Sequence, residues 1–450
     1  MLDNISHNDK LTLKAACEKD FRTFIYFIHK VVEGCEYRFY TFLCPLIDKL
    51  QAIADYQTAQ NLVINMPPGW GKSRLFKYFL AWTLIKNPNI CHLYTSYSDS
   101  LIQSCSDDVK KTIESDFVKN LWGYKIRKDK SNKHNWAIDG TTQSSGMTAA
   151  SMDGTITGVN GGNPAIKDNF CGAIVIDDPQ KPQQMVYASY RKRIVDTYNK
   201  TLKNRKRRND VPIILIMQRL DPDDLTGWIL QNETDWDVIN VPALVDGQSQ
   251  NPDNITTQEL ISLREKRPAE FYAQYQQQPK ADIIYTFSGI NYADDLDRFH
   301  NGICLLDKGF DGSDSTAFCT IKEHDGLLYV YGKLWIGAHY IDKLSEIYAA
   351  RDKVLCGTIF TEKNDDKNTA SRNYAGIQGY HEKENKHRKI MTYLYAEWSS
   401  IRWHPDTDED FIEECRRYNE FAKDDHAPDC LASAIRQIKK QVVMPTMRPF

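Results

Sequence analysis

The stretch Asn61-Leu-Val-Ile-Asn-Met-Pro-Pro-Gly-Trp-Gly-Lys-Ser73 joins a short apolar strand to a Pro/Gly turn, and a helical pattern over 74–85 follows. Such a turn aims consecutive backbone N–H groups and a helix N-terminus at one spot, which favours a bound anion. Lys72 adds a point charge there, and the Ser73 hydroxyl is placed to ligate Mg²⁺. Pro68, Gly69, Trp70, Gly71, Lys72 and Ser73 are therefore expected to wrap the phosphates of a nucleotide such as ATP. The usual pattern has a glycine where Met66 stands, and here Gly69 lies inside the loop instead. The competing reading is an ordinary strand-turn-helix with a chance Gly-Lys-Ser.

At 450 residues the chain exceeds one ordinary core, so two domains are expected. A net charge of −3 speaks neither for nor against nucleic acid, because local distribution outweighs the sum. The 11 cysteines include no Cys-x-x-Cys and no accompanying His cluster. They read as reduced thiols of a cytosolic protein, supporting neither a zinc site nor a disulfide framework. The N-terminus lacks an apolar signal core and no run of 18 apolar residues occurs, so neither secretion nor membrane insertion is expected.

Residues 1–60 are mainly helical in pattern, with Phe21, Phe24, Ile25, Phe27 and Ile28 on one face. A second apolar strand, Cys91–Ser96, completes a β-α-β unit with the first. Residues 131–170 are rich in Gly, Asn, Ser and Thr and read as loops or a hairpin insert. Then Cys171-Gly-Ala-Ile-Val-Ile-Asp-Asp-Pro179 forms a buried strand delivering Asp177 and Asp178 at its carboxyl end, where open α/β sheets bind ligands. A nucleotide-hydrolysing site needs one acid for the hydrated Mg²⁺, assigned to Asp177, and one to orient the attacking water, assigned to Asp178. A further strand, 211–219, ends in Gln218 and Arg219, either γ-phosphate sensors or surface caps. Six basic residues between Lys200 and Arg208 (Lys200, Lys203, Arg205, Lys206, Arg207, Arg208) are by default a solvated face; a DNA-backbone contact or a subunit contact is the sharper alternative.

Several of these segments together resemble the ATPase domain of the large terminase subunit of tailed bacteriophages. They are Met66–Ser73, Asp177-Asp-Pro, Ala188-Ser-Tyr-Arg-Lys-Arg, Thr201-Leu-Lys-Asn-Arg, Met217–Gly227 and Phe271–Pro279. That family tolerates a loop without the first glycine. Two departures stand out: the family more often has Glu at Asp178, and an arginine is frequent after the pair Thr157-Gly158, where this chain has Val159 and Asn160. The arginine finger is therefore open.

The second half changes pattern near residue 285. Three strands, Ile303–Asp307, Thr316–Ile321 and Leu327–Tyr331, form an antiparallel meander with His324-Asp-Gly at a turn. A helix over 338–350, a strand 357–362 and a helix over 425–438 follow. Asp307, Glu362 and Asp429 stand at two strand ends and a helix start, which is the RNase H-like arrangement. Phosphodiester hydrolysis with two Mg²⁺ or Mn²⁺ ions requires such clustering, because carboxylates must hold both ions. Taken singly, any of these acids is more simply a turn or cap. Asp307, Thr361-Glu-Lys-Asn364 and Asp425-His-Ala-Pro-Asp429 also resemble the terminase nuclease motifs, with His426 where a second Asp is usual. His426 is expected near the metals as ligand, proton carrier or cap; Asp311, Asp314 and Asp365 are secondary candidates. Residues 411–418 read as a packed helix outside the chemistry.

The expected fold is thus α/β: a P-loop ATPase domain with a parallel-strand core (1–280), a linker (281–300) and an RNase H-like nuclease domain (301–450). The resemblance implies a motor that moves double-stranded DNA into a procapsid and cuts concatemers. It also implies a homo-oligomeric ring on the portal protein, a small terminase subunit as partner and residence in the host cytoplasm. An ATPase-nuclease of repair or recombination, or an assembly component with one degenerate site, are the alternatives.

Overall fold

The computed structural model describes residues 6–152, 158–310, 314–363, 369–382, 384–419 and 422–442. Thr157, Asp311, Asn364 and Asp365 lie outside the described residues. The chain divides into two compact units, Met1–Met185 with Tyr190–Ala281, and Val186–Ser189 with Asp282–Phe450. Both are α/β, each built on one large sheet.

The first unit has eight strands in this sheet: β1 (Asn61–Asn65), β2 (Cys91–Ser96), β3 (Ile126–Ser131), β4 (Asn135–Ile138), β5 (Gly146–Ser151), β6 (Ile174–Asp177), β7 (Ile213–Met217) and β8 (Trp236–Asn240). Their order is β3-β4-β5-β2-β6-β7-β1-β8. From β5 to β8 all neighbours are parallel, while β3–β4 and β4–β5 are antiparallel. The strands β1, β2, β6 and β7 are buried at every position, the signature of a parallel sheet covered on both faces. A small hairpin of β9 (Leu244–Val245) and β10 (Gln248–Ser249) follows.

β1 and β2 lie parallel in one sheet as the expected β-α-β unit, with β7 and β6 between them. The connection through the 15-residue helix Lys72–Lys86 therefore shifts the chain sideways by three strand spacings, roughly 14 Å at about 4.8 Å each. Residues 131–170, expected as loops or a hairpin insert, contain the antiparallel pair β4 and β5, which does not stand apart but extends the main sheet. Few apolar residues suffice there because Trp136, Ile138 and Met147 are all buried. Gly146, at φ 103°, passes so close to the Trp136 carbonyl that a Cβ would lie 2.1 Å from it.

The N-terminal helices His7–Lys19 and Phe21–Glu33 cover one face. Asp20 caps the second by accepting from Thr23 N, and Gly34 ends it in the left-handed region. Phe21, Phe24, Ile25 and Ile28 are fully buried, and Phe21 stacks on Trp82 with ring centroids 4.7 Å apart. Because helix Lys72–Lys86 lies between these helices and the sheet, its buried residues run almost all round.

The second unit holds six strands: β11 (Ile303–Asp307), β12 (Thr316–His324), β13 (Leu327–Trp335), β14 (Ile359–Glu362), β15 (Ile377–Tyr380) and β16 (Ile401–Trp403), in order β15-β14-β11-β12-β13-β16. β11, β12 and β13 form the antiparallel meander, turning at Asp325-Gly326 with both residues at positive φ. β14 joins β11, and β15 joins β14, in parallel. This is the RNase H-like strand order. Helix His426–Val442 lays Ala427, Cys430, Leu431, Ala434 and Ile435 against the sheet, with Cys430 Sγ 3.6 Å from the Leu305 carbonyl. Among the described residues no helix is long and apolar enough to cross a membrane.

One buried base ties the first sheet to its helix. His92 on β2 accepts from Ala173 N at 3.1 Å through Nδ1 and meets Thr83 Oγ1 at 2.8 Å through Nε2. Burial pushes its pKa down to about 3. The unfolded chain, titrating near 6.5, binds a proton that the folded chain refuses. This contribution to stability is therefore whole above about pH 6.5 and lost as pH falls toward 3. Between pH 6.5 and 5 the loss is about 1.6 kcal/mol. Denaturant midpoints at the two pH values should converge in His92→Gln, and an unaltered pH dependence in that variant would refute the assignment.

Candidate functional site

In the first unit the carboxyl ends of β1, β6 and β7 meet. The turn after β1 is made by Gly69 at φ 76° and Gly71 at φ 87°, both left-handed. Met66 is fully buried in the core, and its N–H donates to the Met217 carbonyl at 3.0 Å. Lys72 opens the helix with only 7 % of its surface exposed, its Nζ 3.4 Å from Asp178 Oδ2.

Asp177 ends β6 buried, with Oδ2 accepting from Tyr94 OH at 2.8 Å. Its other oxygen has no hydrogen-bond partner. Burial, then the neighbouring Asp178 charge, raise its pKa to about 6, against the pull of Tyr94, Lys72 and the nearby Ser73 hydroxyl. An orphaned carboxylate oxygen beside Ser73 is a fit for a hard divalent cation, which takes oxygen ligands of this kind. Asp178 sits at φ 41°, a sparsely populated conformation for a side-chain-bearing residue. That backbone turns its carboxylate toward Lys72, while Oδ1 accepts from Gln218 N at 3.3 Å.

A cavity of about 340 Å³ opens beside the loop, lined by His29, Tyr37, Arg38, Tyr40, Trp70 and Asn254, among others. Arg38 lies over the Tyr40 ring and pairs with Asp253, which also accepts from Tyr40 OH at 2.6 Å. A second cavity, about 270 Å³, is bounded by Tyr97, Leu101, Asp178 and Gln218.

Gln218 thus stands at the acids, but Arg219 does not. The Arg219 guanidinium is buried against Asp224, both carboxylate oxygens lying 3.0 Å from Nε, and reaches the Asp221 carbonyl. Asp224 caps helix Leu225–Asn232, so Arg219 pins that helix start to the strand end. The basic run is also largely engaged. Lys203 pairs with Glu233, Lys206 bonds Asn61, Arg208 grips Asp210, and Lys200 pairs with Asp196. Sequence reasoning missed Tyr94, whose position on β2 gave no sign that β2 would lie beside β6.

In the second unit Leu306 pairs with Thr361, which places Asp307 and Glu362 at the same level of neighbouring parallel strands. Buried Lys308 donates to the Glu362 carbonyl at 2.8 Å and so ties the two strand ends together. His426 bridges Asp307 Oδ2 at 3.3 Å and Asp314 Oδ1 at 3.0 Å. Burial would lower its pKa, but the Asp307 bond and charge, with Glu414 and Asp314, raise it to about 9. Asp307 is held low although burial works to raise it, because His426, Lys386 and Lys389 prevail.

Asp429, in the first turn of helix His426–Val442, is buried 2.7 Å from Lys389 Nζ. Burial carries its pKa up to about 6 despite that lysine. Among the described residues no three Asp, Glu, His or Cys side chains stand together as a finished metal cage. Lys386 and Lys389 stand against Asp429, and His426 against Asp307. The donors themselves, hard carboxylates of adjacent strands, have the chemistry that Mg²⁺ or Mn²⁺ takes.

Glu414 was also missed. It lies in the helix Glu409–Arg417, accepts from Ala427 N at 2.9 Å, and leaves its other oxygen buried without a partner. Burial raises its pKa to about 7. Only the alternation of this helix was visible in sequence, and that marks packing.

No family model and no curated protein matches the chain. Among solved structures it is similar to the large terminase of a thermophilic bacteriophage, with TM-score 0.36 and 10% identity over 90% of this chain and 100% of that one. The same terminase in complex with ADP gives 0.35 and 10% over 89% and 100%. The Phi-28 gp11 DNA packaging motor gives 0.29 and 13% over 82% and 94%.

The Arg219 geometry is open to direct measurement. Arg219→Ala would leave the buried Asp224 carboxylate with only the N–H groups of Leu220, Asp221 and Gly227, and breaking a buried pair costs about 3–5 kcal/mol. Chemical denaturation should show that loss with no nucleotide present. A variant as stable as the parent would return Arg219 to the pool of phosphate contacts.

Proposed function

We propose that the chain is a viral DNA-packaging motor that hydrolyses ATP to move double-stranded DNA into a procapsid and cuts DNA with a metal-dependent endonuclease. The observation that carries the motor half is the meeting of Lys72, Ser73, Asp177 and Asp178 at the carboxyl end of a parallel sheet, with one Asp177 oxygen left unbonded. Ser73 and Asp177 would hold Mg²⁺, which neutralises phosphate charge when bound.

Lys72 and Asp178 hold each other at 3.4 Å. An arriving γ-phosphate competes for the ammonium, and Asp178 is then released to orient water. ATP itself would thus arm the hydrolytic carboxylate, and the pair keeps it occupied until then. The left-handed backbone at Asp178 supports this reading, since it redirects a side chain one methylene shorter than glutamate. Gln218 stands beside Asp178 as the group able to report the change along β7.

In the second unit Asp307, Glu362 and Asp429 would form the acidic centre that works with divalent metal, which lowers the pKa of attacking water and stabilises the leaving oxygen when bound. His426 orients Asp307. The family resemblance supplies the partners of the proposal: a portal protein and procapsid, a small terminase subunit, a ring of copies of this chain, and the host cytoplasm as the place of action.

Lys72→Ala should lower ATP hydrolysis by about 10²–10³-fold, the scale of losing one preorganised charge on a transferring phosphoryl group. Metal-dependent DNA cutting should remain measurable; equal loss of both activities in a folded protein would defeat the two-site reading. Asp307→Ala should do the reverse, removing cleavage of plasmid DNA while ATP turnover persists. Normal nicking by that variant would sink the acid assignment.

A further inference from the structure

The cations around the acids of the second unit are not alike. Lys386 is nearly half exposed, 3.0 Å from Asp425 and 3.9 Å from Asp429, and can swing into solvent. His426 bonds one oxygen of Asp307. Lys389 is buried, its side chain 2 % exposed, with Nζ 2.7 Å from Asp429 Oδ1 and 3.5 Å from Glu382 Oε2. Glu382 is in turn held by buried Arg436 at 2.6 Å. The ammonium therefore sits buried between two buried acids.

A divalent ion on Asp429 would have to expel that ammonium or stand close against it. Separating a buried charge from its partner is strongly unfavourable, and the paired ions of a two-metal centre lie only about 3.5–4 Å apart. Asp307, whose Oδ2 meets His426 at 3.3 Å, shares a level with Glu362 on paired strands, where one ion can be bound by both.

We infer that Lys389 takes the place of one metal ion, so that the centre binds a single divalent cation on Asp307 and Glu362 and the ammonium supplies the positive charge at Asp429. This rests on the nuclease reading of those acids. The pattern of three acids alone predicts two ions; the buried lysine makes the number one.

The test is a count of bound Mn²⁺. The full chain, free of nucleotide, is titrated with Mn²⁺ and the free ion read by electron paramagnetic resonance, with Asp307→Ala as the blank that subtracts ions held elsewhere. A difference of one ion per chain is expected. A difference of two overturns the inference and leaves the nuclease reading standing; a difference of zero removes that reading and the inference with it. The double variant Lys389→Met, Glu382→Gln keeps the charge balance and should raise the difference from one to two. If it stays at one while the near-ultraviolet circular dichroism is native, Lys389 is not what excludes the second ion. Should the double variant fail to fold, the count on the unaltered chain decides alone.

Discussion

A carboxylate withdrawn from water needs a proton, a cation or several hydrogen bonds, and both sheets of this chain end strands in such carboxylates. Asp177 is answered on one oxygen by Tyr94, and its neighbour Asp178 by Lys72 and the Gln218 N–H. Asp307 is answered by His426, Asp429 by Lys389. These pairings decide much else. They require a tyrosine in the middle of β2, a lysine at the very start of the helix after β1, and a basic helix, Lys386–Lys389, beside the last helix of the chain.

The pairings are also unequal, and the inequality has chemical meaning. Lys72 spans 3.4 Å to a partly exposed Asp178, a contact that a phosphate can take over. Lys389 is locked between two buried acids, a contact that nothing entering from water can easily replace. One cation is built to change partners and the other to stay. Arg219 belongs with the second kind: its charge serves Asp224 and the start of helix Leu225–Asn232.

Local patterns were legible in the sequence where the physics is local. The apolar runs of β1, β6 and β7, the meander of β11 to β13, and the loop that starts helix Lys72–Lys86 all follow from periodicity and turn residues within a dozen positions. The candidate acids were legible because each closes such a run. Strand order was not, since a helix long enough to cross two strands looks the same as one that crosses none. That the hairpin of β4 and β5 joins the main sheet was hidden, because only a few buried residues such as Trp136 and Met147 anchor it among polar neighbours. Partners of charges were hidden for a similar reason: Lys389 and Asp429 meet only after the chain has folded, and no spacing encodes that. Arg219 and Asp224 are near in sequence, yet an arginine after an apolar strand and an aspartate before a helix each have a simpler local explanation.

Met66 shows the same division at the scale of one residue. Its position in the phosphate-loop pattern normally asks for glycine, because the backbone there begins to turn. Here the N–H of Met66 still bonds the Met217 carbonyl, continuing the pairing of β1 with β7, and its side chain is buried in the core. The chain has not yet turned at that point. The left-handed residues come later, at Gly69 and Gly71, and a side chain on Gly69 would press to within 3.2 Å of Asn254. What an anion-binding turn requires is freedom at the residues whose φ is positive and space where the backbone is crowded. In the proposed phosphate loop both features occur three and five residues beyond Met66, where the backbone turns, and not at Met66 itself.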